Sequence, residues 1–503
     1  MLYALLFAGL SVFSSASESD RAAEEALERA LSTIESQEIA ADLRFLSSDE
    51  LGGRGSPSRG QRIAARFLAS RAERLGFEPA GDVGFFDQYQ LERRALELDE
   101  TALHLKGPGG LLRLAPREDW WYTSFPDRTD LEHTGRLVFV DEGRGSDVGK
   151  LDLTGAFAVA VLDAQSIREL EGPAIDFRLR PIADAAEAKG ALGTIFVIEP
   201  GSDLGSAAEG LDRLTAQSFL GSLSEPGRTR RQRNAGPMRV VLRPDATAEM
   251  LRVLEMKNLP KKAGTELGAT LTETRVAWKA ADGSNLAELE NVAALLPGTD
   301  RKLRDEVIIL SAHYDHLGGL DGRVWNGADD NGTGTTVLLA VADALSAHGP
   351  LDRSVLILWV SAEEHGLLGS RAWCENPTLP EGMRPIANLN IDMIGRNDPK
   401  EILLTPTKKM GDIYNGLAER LEKMAAIEGF SNVKSADAYY HRSDQESFQK
   451  AFDIPVAFLF ADIHDDYHQE TDDFEGIDLD KVERVARLAT RALIELQGDD
   501  LDL

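Results

Sequence analysis

At 503 residues the chain is too long for one ordinary domain, and its 43% hydrophobic content is enough for two or three cores. Its 55 basic against 84 acidic side chains leave a net charge of −29, which argues against a nucleic-acid partner and describes an acidic, solvated surface. The single cysteine, Cys374, excludes a disulfide within the chain.

Met1 to Ser17 has an apolar stretch from Leu2 to Phe13 followed by Ser14-Ser15-Ala16, the pattern of an export signal with a small-residue cleavage site. The run is shorter than the ~20 residues a spanning helix needs. The expectation is an exported protein, secreted or periplasmic, with no stable membrane insertion and no lipid anchor. Ser19 to Ser36 reads as an acidic amphipathic helix or linker. From Thr101 to Ala281 the pattern changes. Arg136–Val140, Gly155–Leu162 and Thr194–Ile198 read as strands, Asp184–Ala191 as a small-residue helix ending near Gly190, and Phe219–Gly236, with Arg228, Arg230, Arg231 and Arg233, as an exposed loop. There is no internal repeat and no sustained heptad.

Beyond residue 300 four short apolar runs predict buried strands: Val307–Leu310, Ser354–Val360, Ile386–Ile391 and Pro455–Phe460. Val337, Val341, Ala344 and Leu345 form one face of a helix over Thr333–His348, so the first two strands and this helix make a βαβ unit. Each run ends in or near chemistry-bearing residues, in order His313, Asp329, the pair Glu363-Glu364, Asp392 and His468. Functional groups collect beyond the carboxyl ends of parallel strands in open α/β sheets. Two imidazoles and three carboxylates, one of them bridging, would give each of two zinc ions three protein ligands and an open position. The charges also balance, because three carboxylates and one bridging hydroxide neutralise two divalent ions. One acid of the Glu363-Glu364 pair is then free to act as a general base.

Five segments carry a resemblance: AHYDHLG at Ala312–Gly318, GADDNGTG at Gly327–Gly334, SAEEHGLLGS at Ser361–Ser370, NIDMIGR at Asn390–Arg396 and DYHQETDD at Asp466–Asp473. In this order they resemble the di-zinc aminopeptidase family, which also contains glutamate carboxypeptidase and the transferrin receptor. Asn291–Gly298, Leu43–Pro79 and Ser443–Pro455 are similar to it as well. The resemblance implies an α/β fold, a mixed, mostly parallel sheet with helices on both faces. Its catalytic domain would comprise residues 35–100 and 282–500, interrupted at 101–281 by a protease-associated domain. It implies that Asp329 bridges two zinc ions, with His313 and Asp392 on one and Glu364 and His468 on the other. Glu363 would be the base, Tyr467 would stabilise the oxyanion, and Asp315 would accept a hydrogen bond from His313 and fix its tautomer. A cis peptide between Asp329 and Asp330 is also implied. Gln445 departs from the family, whose members often carry His there, which bears on substrate contacts rather than on catalysis.

The activity so implied is hydrolysis of peptide bonds in a peptide or protein substrate by water activated between two zinc ions, with aminopeptidase action leading. A carboxypeptidase acting on acidic carboxy-terminal residues is the first alternative. Glutaminyl cyclisation, which uses one zinc, and a transferrin-receptor-like binding role, marked by lost ligands, come behind. His133, His348, His365, His441 and His464 are read as structural or surface residues, His316 more readily as structural than as helping to shape the site, and the pairs Asp465-Asp466 and Asp472-Asp473 as solvated.

Overall fold

The protein is described from a computed structural model, which covers residues 18–94, 101–116, 118–124, 131–141, 148–164, 173–205, 207–208, 210–212, 222–224, 238–276, 286–320 and 322–498. The expected export signal and the Arg-rich run 228–233 lie outside the described residues. Among those described, no helix is long and apolar enough to cross a membrane.

The larger sheet runs, edge to edge, through Asn432–Ser435, Glu401–Thr405, Val456–Phe460, Arg384–Ile391, Glu306–His313, Ser354–Val360, Leu286–Leu296, Phe86–Arg94 and Ser222–Ser224, with Glu78–Pro79 paired beside it. The four strands at its centre are the four predicted apolar runs, and they pair in parallel. The flanking pairs Leu286–Leu296 with Ser354–Val360, and Leu286–Leu296 with Phe86–Arg94, are antiparallel, which makes the sheet mixed.

Continuous apolar runs form the central strands because both faces are covered. Side chains alternate between two cores: Ile308, Leu310 and Ala312 enter one, while Val307 and Ile309 enter the other. The strand Ser354–Val360 does the same, with Val355, Ile357 and Trp359 on one side and Leu356, Leu358 and Val360 on the other. The helix between these strands is Gly334–His348. It buries more than the predicted face, Leu338, Leu339 and Ala342 included, because the helices Glu18–Leu31 and Leu479–Glu495 pack along its outer flank.

A second sheet is built between residues 102 and 276, in the order Gly110–Leu114, Ala102–Gly107, Thr265–Val276, Leu131–Asp141, Ala156–Leu162, Gly193–Ile198, Met238–Leu242, Trp120–Ser124. It has cores of its own on its two faces. The predicted small-residue helix is the end of a longer one, Pro173–Glu187. Ser222–Ser224, expected within a loop, is instead a strand that pairs with Glu92–Arg94 in the larger sheet. The stretch 101–281 therefore supplies strands to both sheets.

One buried cation ties the segments around the strand ends. The Arg54 guanidinium is 1% exposed and donates to the carbonyls of Leu46, Tyr314, Asn326 and Gly327. These belong to a helix end, the segment after the His313 strand and the loop entering the Asp330 turn. Arg54→Met should leave these acceptors unsatisfied and lower stability by about 3 kcal/mol or more, read as a drop in the urea midpoint. Lys, lacking the planar fork, should recover little of the loss.

Candidate metal centre

The central strands place acids and imidazoles at or beyond their carboxyl ends. His313 closes its strand, Asp392 follows Ile391 directly, and Glu363 and Glu364 stand three and four residues beyond Val360. The turn Ala328–Thr333 enters from Gly327, and His468 arrives on the loop after the Val456–Phe460 strand. Gly327 is required twice over. Its φ is +60°, and an added Cβ would lie 2.2 Å from the Asp330 carbonyl oxygen and 2.4 Å from His316 Cγ.

The carboxylate between the histidines is that of Asp330. Its Oδ1 lies 3.4 Å from His313 Nε2 and its Oδ2 3.1 Å from His468 Nε2. His313 Nε2 is 3.3 Å from Asp392 Oδ1, and His468 Nε2 is 3.3 Å from Glu364 Oε2. Two atoms bound at about 2.0–2.1 Å to one tetrahedral ion are about 3.3 Å apart, so these spacings fit ligands that share a cation. The atoms of His313, Asp330 and Asp392 can all be chosen within 4.8 Å of one another, as can those of His316, Asp330 and Glu364. The residues present thus fit a pair of cation positions that share Asp330.

Asp329, expected as the bridge, turns away. Its Oδ1 accepts from the Gly395 amide at 2.6 Å and from Thr333 Oγ1 at 3.0 Å, and its Oδ2 faces His464 Nε2 at 3.2 Å. Asp472 holds this turn in place: its carboxylate accepts from the amides of both Asp329 and Asp330, and it is Asp330 that faces the histidines. The cis peptide likewise falls one bond later than expected, between Asp330 and Asn331. Asp472, expected to be solvated, is fully buried.

The Nδ1 of His313 faces the backbone carbonyl of Asp315 at 3.1 Å, while the Asp315 carboxylate is 3.8 Å away. The carbonyl, rather than the expected carboxylate, therefore fixes the tautomer that leaves Nε2 free toward Asp330 and Asp392. The Asp315 carboxylate has a different duty. It accepts from Ser56 Oγ at 3.0 Å and from the Glu363 amide at 3.2 Å, so it aims the segment that carries Glu363.

Burial sets the electrostatics. It pushes Glu363 well above the usual carboxylate range against the attraction of His313, and neighbouring Asp444, Glu364 and Asp392 push further. Burial takes Asp315 to about 7, offset in part by His313. Burial alone would depress His468, but Glu364 and Asp330 raise it to about 9. Tyr467 stacks on the His468 ring at 3.9 Å between centroids, and burial lifts its phenol well above 10.

Ser443 and Asp444 carry no assigned role in the sequence reading, yet both belong to the centre. Asp444 is fully buried with neither carboxylate oxygen hydrogen-bonded. Ser443 Oγ donates to Asp392 Oδ2 at 2.8 Å, and Asn390 donates to Ser443 Oγ and Gln445 Oε1. Gln445 is itself fully buried, so its amide braces the polar layer behind Asp392. The visible signal was Asn388 and Asn390 inside an apolar strand, since buried amides need partners. His365 and His464 do not extend into solvent: His365 Nε2 lies 3.0 Å from the Ser56 carbonyl oxygen, and His464 faces Asp329.

Comparison with known proteins agrees with this architecture. The family model described as peptidase family M28 matches residues 291–493. Aminopeptidase YwaD of Bacillus subtilis is 28% identical over 195 residues, 38% of this chain and 41% of that protein, so the match spans less than half of this relative. The structure of an aminopeptidase from Aneurinibacillus sp. strain AM-1 superposes with a TM-score of 0.59 at 20% identity, covering 95% of this chain and 98% of that one. A zinc aminopeptidase from Bacillus subtilis gives 0.57 at 20% identity, covering 93% and 96%. These two likenesses concern the fold. The matched segment contains His313, His316, Asp330, Glu363, Glu364, Asp392 and His468, so the similarity to peptidase family M28 spans the candidate centre.

Proposed function

We propose that the protein is a zinc metallo-exopeptidase, acting as an aminopeptidase on peptide or protein substrates and exported from the cell. The observation that carries this reading is the placement of Asp330 between two sets of ligand atoms, one with His313 and Asp392 and one with His468 and Glu364. Two zinc ions held there would polarise the scissile carbonyl and make water acidic enough to be deprotonated near neutral pH.

The chain's own residues supply the rest. Glu363 takes the proton of the attacking water and passes it to the nitrogen of the departing amine as the C–N bond breaks. Asp315 holds the Glu363 amide and so its position. Tyr467, fixed by stacking on His468, offers its hydroxyl to the developing oxyanion. The sheet built between residues 102 and 276 is read as a protease-associated domain that borders the substrate's path.

Glu363→Gln should reduce turnover by roughly 10²- to 10⁴-fold while zinc content, measured by mass spectrometry, stays near that of the parent. The two aspartates should separate in the opposite sense. Asp330→Asn should deplete both ions, whereas Asp329→Asn should weaken zinc binding by about 10- to 100-fold at most, because Asp329 supports the loop after Asp392 without facing the ligands. Swapped metal contents would reverse the assignment.

Incubation with matched peptides blocked at one end tests the exopeptidase polarity. Amino-terminal acetylation should abolish cleavage and carboxy-terminal amidation should leave it intact. The converse pattern would identify a carboxypeptidase.

A further inference from the structure

His316 is 1% exposed, and neither of its ring nitrogens makes a hydrogen bond. Its Nδ1 lies 2.9 Å from Glu364 Oε1 and 3.8 Å from Asp330 Oδ2. Glu364 Oε1 is also buried without a hydrogen bond. A nitrogen and a carboxylate oxygen this close would ordinarily be a strong, aligned hydrogen bond. Here the contact is not a hydrogen bond, and ligand atoms of His316, Glu364 and Asp330 lie within 4.8 Å of one another.

The ring has little freedom to turn elsewhere. Gly327 packs on it where a Cβ would clash, and the His468 ring meets it edge-on at 5.7 Å between centroids. A buried imidazole held against two carboxylates, with its nitrogens otherwise idle, is costly unless a cation uses it.

We propose that His316 is a further metal ligand, joining Asp330, Glu364 and His468 on one cation. This rests on the reading of the centre as a two-ion site. It makes the two positions unequal. One cation has four protein ligands, as closed zinc sites do, and is the tightly held one. The other, with His313, Asp392 and the shared Asp330, has three and keeps an open position on the side of Glu363.

Cobalt(II) substitution gives a readout independent of catalysis. Proton spectra in water show strongly shifted, solvent-exchangeable N–H signals from each imidazole bound to the ion, and cobalt content is measured on the same sample. The holo protein should show three such signals, and His316→Ala two. The variant should also lose affinity for the tighter ion by more than the ~10- to 100-fold that removal of an outer hydrogen bond costs. Two signals in the parent with two cobalt ions bound would overturn the assignment and leave the two-ion reading standing. One ion bound with two signals, one of them absent from His316→Ala, would support His316 and sink the two-ion reading. The parent's count decides even where the variant does not fold, and no cobalt binding would sink both.

Discussion

Asp315, Asp330, Glu363, Glu364, Asp392 and Asp444 crowd beneath the ends of four strands, largely out of water, with His313, His316 and His468 among them. Two like charges 4 Å apart repel by about 4 kcal/mol even at an effective dielectric constant near 20, so such a group cannot remain ionised on packing alone. Protons or cations must neutralise it, and the upward shifts of Glu363, Asp315 and Asp392 are the protonic answer the chain gives by itself. Cations are the other answer, and a site of this kind makes their binding free energy part of the folding free energy. The surroundings are arranged accordingly: Arg54 ties the loops through carbonyls, and Asp472 through amides.

The backbone near the centre is held in sparsely populated conformations. Ala362 before Glu363, Met393 after Asp392, and His468 itself all have positive φ, at +55°, +48° and +59°. For residues with a Cβ each such conformation costs on the order of 1–3 kcal/mol and persists only where the surroundings fix it. Here they do. The Leu368 amide donates to the Ala362 carbonyl, and the Ala461 amide to the Met393 carbonyl, so neighbouring loops lock one another. These turns swing side chains off the strand direction and toward a common centre.

The central strands and the helix Gly334–His348 were legible because two-sided burial writes continuous apolar runs into the sequence, and because those runs end at acids and histidines. The choice between Asp329 and Asp330 was not legible. Neighbouring acids look alike in sequence, and the turn that carries them is held by the Asp472 carboxylate some 140 positions away, gripping both amides. The same distance hid Asp472, which reads as one more acid in an acid-rich chain. His316 and Gln445 were noticed, yet their roles depend on what lies across a loop, Glu364 for one and Asn390 for the other. The strand Ser222–Ser224 lies in a polar stretch with no alternation to announce it.

That short strand has a consequence for solubility. An open sheet exposes unpaired amides and carbonyls along its outer strands, a template on which other chains can add. The larger sheet closes one side with Asn432–Ser435, four residues and mostly polar, and the other with Ser222–Ser224, which covers Glu92–Arg94 of the longer Phe86–Arg94 strand. The protective strip on that side comes from the stretch that otherwise builds the second sheet. Removing this stretch as a block would strip the border and bare the Glu92–Arg94 end of that strand, opening a guarded margin to self-association.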